Sequence, residues 1–561
     1  MAVSQNMHGW LRDALGVARF SLGLPGYLRE TISPAQAEAL VRARLAGRQE
    51  AFLRLIERGV FGHSSSPYRA LLDAAGCGPG DVGALLQSHG LEGALETLRR
   101  AGVYVTFEEF KGRRPLVRHG RHIPTDARSF DNPFLSRYYG TETGGTTGPG
   151  TRTAYDLEHL AAQAASVALA LHIYGIYGAP AAVWLSILPA ASGLNSTLRQ
   201  SRAGTVPRRW FTPVVPGDLA PSLRSTLMTR YLVAVGRLSG VRLPAPEPLR
   251  LDQAIVIARW AAETAHAEGR SLVMTHVSQG VRVAAAALEA GLDLTGVTII
   301  VGGEPPTPAK AEVLRRSGAA WHPGYWITEA GGIAYGCTHP VSPNDLHLLS
   351  DSFALIQHPH PGPGALHLTT LLPTSPRLML NVETDDHGLI EQRTCGCPFE
   401  AIGLRTHLRE VHSQRKLTGE GMTVLPGEIV RIVEEVLPAR FGGSPLDYQI
   451  VEEEQGGLTV VSLIISPRLR LDEEAQVVPV VLQALRQGGR ASELAAAVWE
   501  QAGTLRLVRR EPSTTARGKA RPVVLTSASL LPAARESAAG EACQPQDDRP
   551  SSISSSLEPH P

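Results

Sequence analysis

The chain has 561 residues, of which 43% are hydrophobic and 19% charged, and its net charge is +1. A chain this long divides its apolar residues among several lobes, and so even a charge balance gives no basis for a nucleic-acid-binding or anionic-membrane-binding role. Five cysteines are too few for a disulfide scaffold and fit a reducing, cytoplasmic setting.

The N-terminus, MAVSQNMHGWLRDAL, carries charges where a secretion signal needs an apolar run. Residues 1 to 100 read as helices. Ser33 is an N-cap with Pro34 at the first helical position, Ala35–Gly59 follows helical spacing, and Ser66-Pro opens a further helix that Cys77-Gly-Pro-Gly ends. Gly102–Phe107 reads as a short strand leading into Glu108-Glu-Phe-Lys. Leu160 to Leu198 holds no Asp, Glu, Lys or Arg, but Gly175, Gly178 and Pro180 cut it into pieces too short to span a membrane. A buried helix, Leu157–Tyr174, and a buried strand, Ala182–Leu188, are expected there.

Between these lies Tyr139-Gly-Thr-Glu-Thr-Gly-Gly-Thr-Thr-Gly-Pro-Gly-Thr-Arg-Thr153. Its glycines let successive backbone N–H groups form a nest for an anion, and the hydroxyls of Thr143, Thr146 and Thr147 add donors. The plain alternative is a flexible surface loop. No Gly-Lys-Ser/Thr follows, so this is not a Walker A loop.

From 182 to 330 strand and helix alternate. The strands are Ser271–Thr275 and Gly296–Gly303, and the helices Leu251–Glu268 and Gly280–Ala290. This pattern implies a mostly parallel sheet with ligands at the carboxyl ends of its strands. Gly302-Gly-Glu-Pro305 sits at such an end, and Gly324-Tyr-Trp-Ile-Thr-Glu-Ala-Gly-Gly332 at another, after a short apolar piece at Ala319–Trp321. The 200–250 region reads as an irregular excursion with a helix at Ser222–Leu238. After 340 the pattern is β-rich, with strands at Asp351–Gln357, Gly364–Thr370 and Leu378–Glu383. A helix at Pro426–Leu437 precedes a hairpin, Asp447–Glu453 and Leu458–Ile465, with further helices at Glu473–Gln487 and Ser492–Gly503 and a strand at Thr504–Arg510. The Ser/Pro-rich stretch from 527 on, with Cys543, reads as a disordered tail.

Five of these features occur in one order: the glycine loop, Gly302-Gly-Glu-Pro, Tyr325-Trp-Ile-Thr-Glu329, Glu383-Thr-Asp-Asp386 and Arg517-Gly-Lys-Ala-Arg521. That order resembles the acyl-adenylate-forming superfamily of acyl-CoA synthetases, peptide-synthetase adenylation domains and luciferases. The glycine loop resembles its Ser-Gly-Thr-Thr-Gly phosphate loop. Ser66-Pro-Tyr-Arg, Phe107-Glu-Glu-Phe and Thr275-His-Val-Ser resemble the phenylacetate–CoA ligase-like branch.

The resemblance implies an α/β fold with a large multi-lobed N-terminal region of mostly parallel sheets, a β-rich subdomain and a small mobile α+β C-terminal lid. Residues 1–100 form the helical start of the large domain, 101–413 the adenylate-forming core, 414–526 the lid and 527–561 the tail. It also implies activation of a carboxylic acid by ATP to acyl-AMP, then transfer to CoA or an acyl-carrier protein. Thr143, Gly144, Gly145, Thr146, Thr147 and Gly148 then hold the β- and γ-phosphates, Thr328 the α-phosphate and Glu329 Mg²⁺. Gly302, Gly303 and Glu304 line the adenine, Tyr325 stacks on it, and Asp386 accepts from the ribose of ATP or AMP. Lys519 is the catalytic cation. An acid pocket draws on Ser192–Ser196, Thr275–Gln279 and Ala330–Ile333.

The departures are specific. Arg152 stands where the family's loop ends in lysine, Arg415 near the hinge aspartate, and Glu420 where the hinge turn carries arginine, with Lys416 or Arg415 as substitutes for a lost cation. The changed turn leaves open transfer of the acyl group to an amine or hydroxyl instead, or nucleotide binding without turnover.

Independently of ATP, Cys395-Gly-Cys397 with Cys337 and a histidine make a closed tetrahedral Zn²⁺ set. Some phenylacetate–CoA ligase-like proteins look the same here, with His347 the positional match and His339 the alternative. Three buried, unligated cysteines are the plain alternative.

Overall fold

The computed structural model describes residues 2–118, 120–126, 128–136, 138–142, 152–187, 191–215, 223–358, 363–413, 417–424, 426–513 and 521–525. Thr143, Gly144, Gly145, Thr146, Thr147 and Gly148 of the glycine loop lie outside these residues, as do the Arg152 side chain, Arg415, Lys416, Lys519 and the tail with Cys543.

Twelve strands join in one sheet. Their order is Phe353–Gln357, Gly364–Thr370, Val382–Gln392, Thr406–Ser413, Asp345–Leu348, Gly331–Gly336, Ala320–Ile327, Val297–Gly302, Ser271–His276, Ala181–Trp184, Arg209–Thr212 and Pro246–Pro248. The pairings from Ala320–Ile327 to Pro246–Pro248 are parallel, and the others antiparallel. The β-rich stretch after 340 therefore continues the parallel sheet, and the antiparallel step from Ala320–Ile327 to Gly331–Gly336 is the seam. Val297–Gly302 and Ala181–Trp184 are buried throughout, as strands covered on both faces must be.

The helix Leu157–Ile173 is apolar around most of its circumference and lies inside the body. Asp156 caps it, its Oδ1 accepting from the Glu158 amide at 2.8 Å. Ser33 caps Pro34–Ala46 through a reciprocal capping box. The expected helix Ala35–Gly59 is broken at Gly47, beyond which Arg48–Leu55 runs into a π-helical turn. Among the described residues no helix is long and apolar enough to cross a membrane.

Gly102–Phe107 is not a strand. Val105 makes one bridge to Val382, and Thr106 and Glu109 form a capping box that starts the helix Phe107–Phe110. The polar pair three residues apart prevails over the β-branched run before it. The strand ending near Trp321 instead runs through Ile327, past Pro323 and Gly324. Gly336 on the next strand leaves room for the proline ring, since a Cβ there would lie 2.6 Å from Pro323 Cδ.

The C-terminal part carries its own four-stranded sheet, ordered Leu505–Arg509, Leu458–Ile465, Tyr448–Gln455 and Val523–Val524. Helices Val477–Arg486 and Arg490–Ala502 and a small hairpin, Leu417–Gly419 with Met422–Val424, complete it. Its apolar interior, including Val461, Val481, Leu485 and Trp499, is continuous with Val281, Ala284 and Ile299 of the body.

Candidate functional site

The glycine loop hangs from a hairpin, Tyr138–Glu142 paired with Arg152–Asp156. Tyr155 anchors that hairpin by donating its hydroxyl to the Thr328 carbonyl at 2.8 Å. Thr328 and Glu329 occupy the turn between Ala320–Ile327 and Gly331–Gly336. Gln163 supports the turn, its Nε2 donating to the Ala330 carbonyl at 2.9 Å. Gly331 has φ +83°, and a Cβ there would meet Gln163 Nε2 at 1.8 Å, so the turn requires glycine.

Glu329 is buried and its carboxylate pairs with Lys111 Nζ. Burial opposes its charge, but the Lys111 ammonium, helped by Arg377, draws the carboxyl down to about 2. Tyr325, three residues before Thr328, donates its hydroxyl to Asp386 Oδ2 at 2.7 Å. Burial, and then the Asp386 charge, push the Tyr325 phenol well above its ordinary value, and the Glu329 charge reaches it too. Tyr325, Glu329 and Asp386 thus interact at the end of Ala320–Ile327, a strand whose Gly324 pairs with Gly302, and Thr328 meets the hairpin through its carbonyl.

The Trp326 indole covers the glycines of this corner. A Cβ at Gly302 would lie 1.9 Å from it, at Gly324 2.1 Å and at Gly332 3.0 Å. Glu304 turns toward the C-terminal part. Ser278 Oγ and Lys310 Nζ donate to its Oε2, the latter at 3.2 Å, and the Gly421 amide donates to its Oε1. Burial disfavours that carboxylate, but Lys310 and Ser278 hold it below the usual range. The neighbouring Glu420 is fully buried at φ +56° and accepts from Arg282 Nε at 3.0 Å and Nη2 at 2.7 Å. Burial raises the Glu420 carboxyl despite Arg282. The hairpin tip is therefore locked onto the Gly302–Glu304 corner.

Cys337, His347, Cys395 and Cys397 present ligand atoms that all lie within 4.8 Å of one another. His347 Nε2 is 3.0 Å from Cys397 Sγ and 3.6 Å from Cys395 Sγ. Its Nδ1 faces the Leu404 carbonyl at 2.7 Å, which fixes the tautomer that leaves Nε2 free to ligate. His339 instead turns Nδ1 to the Cys395 carbonyl at 3.0 Å, so His347 is the histidine among the thiols. Glu400 accepts from the Cys395 and Gly396 amides at 2.8 and 2.7 Å and shapes the turn. Three thiols and one imidazole nitrogen are the donors a tetrahedral Zn²⁺ takes. Glu329 is a single carboxylate, which suits a Mg²⁺ held mainly by phosphates.

Sequence reasoning did not single out Lys111, Trp326 or Arg282. Lys111 directly follows Phe107-Glu-Glu-Phe, and the only sign of Trp326 was the number of glycines around it.

No family model matches this sequence and no curated protein matches it. Among solved structures, 2-hydroxyisobutyryl-CoA ligase, in complex with 2-HIB-AMP and CoA in the thioesterification state, is similar over 89% of this chain and 91% of its own, with TM-score 0.52 and 17% identity. The same ligase in an open conformation matches with TM-score 0.43 and 16% identity, over 88% of this chain and 93% of its own. The chain shares the fold of the first of these structures.

Proposed function

We propose that the protein activates a carboxylic acid with ATP as acyl-AMP and passes the acyl group to a thiol, on CoA or a carrier protein, as in the phenylacetate–CoA ligase-like branch. The convergence of Tyr325, Thr328, Glu329 and Asp386 at one corner of the sheet, beneath the hairpin that carries the glycine loop, is the observation that supports this reading.

In this reading the acid's carboxylate oxygen attacks the α-phosphorus, the bond to the bridging oxygen breaks and pyrophosphate leaves. The chain must hold the nucleotide and offset the charge that builds on the phosphate oxygens. Asp386, steadied by Tyr325, accepts from the ribose hydroxyls, and the glycine-loop amides with Thr143, Thr146 and Thr147 cradle the outer phosphates. Thr328 meets the α-phosphate, and Lys519 supplies the cation. Bound Mg²⁺ supplies further neutralisation of the phosphates, with Glu329 as its protein carboxylate. Trp326, packed over Gly302, Gly324 and Gly332, would limit the length of an acid bound beside them. Cys337, His347, Cys395 and Cys397 would hold a structural Zn²⁺ that ties the segment after Glu329 to the segment after Asp386.

ATP–pyrophosphate exchange across a panel of acids tests adenylation, and hydroxylamine trapping with and without CoA tests the transfer. Exchange with at least one acid, lost on Lys519→Ala, is expected. Nucleotide binding without exchange for any acid would overturn the reading.

A further inference from the structure

Glu329 carries one buried negative charge, and the Lys111 ammonium answers it. Lys111 follows the helix Phe107–Phe110, and its Nζ also lies 5.4 Å from the centre of the Phe107 ring, whose face attracts a cation. Arg377 sits over the Phe110 ring at 5.1 Å, and its charge reaches Glu329 as well. Two cations therefore bear on the single carboxylate that the ligase reading assigns to Mg²⁺.

An ammonium and a divalent ion cannot both sit against that carboxylate, because they repel at a few ångströms in a site shielded from water. Metal binding at Glu329 must therefore release Lys111. A buried ammonium left without an anion is costly, so the released side chain must find another. The carboxylates on and around its own segment are already engaged. Glu108 pairs with Arg113 at 3.5 Å, Glu109 with Arg118 at 2.7 Å and Asp131 with Arg377 at 3.7 Å, and Asp386 accepts from Tyr325 at 2.7 Å. The anions that arrive with the metal ion are the phosphates of the nucleotide. A compact charge on a flexible four-carbon stem suits such a transfer.

We propose that Lys111 is a further catalytic residue, whose ammonium holds Glu329 before the nucleotide binds and moves to the phosphate oxygens when Glu329 takes the metal ion. The proton stays on Nζ, so no covalent bond is made or broken in the move. At the phosphates the ammonium offsets part of the charge that builds as pyrophosphate leaves. Between turnovers its return keeps the buried carboxylate compensated. This role rests on the ligase reading.

The test begins with the full chain crystallised with Mg²⁺ and α,β-methylene-ATP, whose bridge resists cleavage. Lys111 Nζ should lie within hydrogen-bonding reach of a phosphate oxygen and away from Glu329; an ammonium still on Glu329 overturns the proposal. In solution, Mn²⁺ binding to the nucleotide-free protein is followed by electron paramagnetic resonance. Lys111→Met should tighten it by about tenfold or more, and adding Glu329→Gln should abolish the gain. A lysine that merely supports the turn predicts unchanged or weaker binding, which would also overturn the proposal. Pyrophosphate exchange at saturating ATP should fall about 100-fold or more in Lys111→Met. If Lys111→Met does not fold, the wild-type complex decides. Exchange that survives the substitution sinks the role of Lys111 and leaves the ligase reading standing, whereas a wild type without exchange for any acid fails that reading itself.

Discussion

Lys111 and Glu329 meet as an ion pair across 218 positions of the chain, with side chains only 9% and 11% exposed. Breaking such a pair from one side leaves a buried charge without compensation, at a cost of about 3–5 kcal/mol. Lys111→Met should lose about that much stability in urea unfolding. Adding Glu329→Leu should restore most of it, because two apolar groups replace the pair, yet leave pyrophosphate exchange undetectable. A Lys111→Met variant as stable as the wild type would show that the pair is not formed in solution.

Purified protein should contain zinc in a one-to-one ratio, and Cys397→Ser should lose it. The His347 tautomer lock and the Glu400 contacts make the site pre-shaped, so chelation should lower the melting temperature before activity is assayed at all. Elemental analysis of both proteins decides it; no metal in the wild type refutes the assignment.

Gly421 sits at φ +72°, and a Cβ there would lie 2.3 Å from His276 Cγ. Gly421→Ala should therefore prevent the hairpin tip from seating on Glu304. The expected signature is a split: transfer to CoA falls about tenfold or more, while pyrophosphate exchange changes little. Equal losses in both half-reactions would mean that the seated hairpin serves both.

Glu428 in the C-terminal part has both carboxyl oxygens 3.0 Å from Ser492 Oγ, and burial raises its carboxyl to about 7 from an ordinary 4.5. A folded-state value above the unfolded one means that its contribution is full below about 4.5 and is lost as pH rises through about 7. Wild-type stability relative to Glu428→Gln should fall across that window. A pH-independent difference in urea midpoints would contradict this.

Trp326 fills the space that Gly302, Gly324 and Gly332 leave open. Trp326→Gly should shift the preferred acid toward longer chains, by roughly 10–200-fold in relative kcat/KM for each added methylene that the wild type rejects. An unchanged chain-length profile would move the acid pocket elsewhere.

The parts of this fold that were legible in the sequence are those specified locally. Gly364–Thr370 and Leu458–Ile465 form strands with the bounds their apolar runs indicate, and Leu157–Ile173 follows from the uncharged, mostly apolar stretch that begins at Leu160 behind Asp156. The cysteine cluster was legible because few residue types bind zinc. Pro323 and Gly324 marked a strand end that does not exist, because their tolerance depends on Gly336 and Trp326, partners on another strand and across a bulge. Lys111 was invisible as a site residue because nothing in its own neighbourhood distinguishes it from a solvated lysine. The pairing of Tyr325 with Asp386 was not legible, because it required the sheet.

The apolar interior shared by Val281, Ala284 and Ile299 with Val461, Val481 and Trp499 has a consequence for biosynthesis. The body leaves the ribosome first, with one flank greasy and uncovered until the residues after 413 arrive. A chain cut short after residue 413 would keep that flank bare, and truncated products should be recovered in inclusion bodies or bound to chaperones.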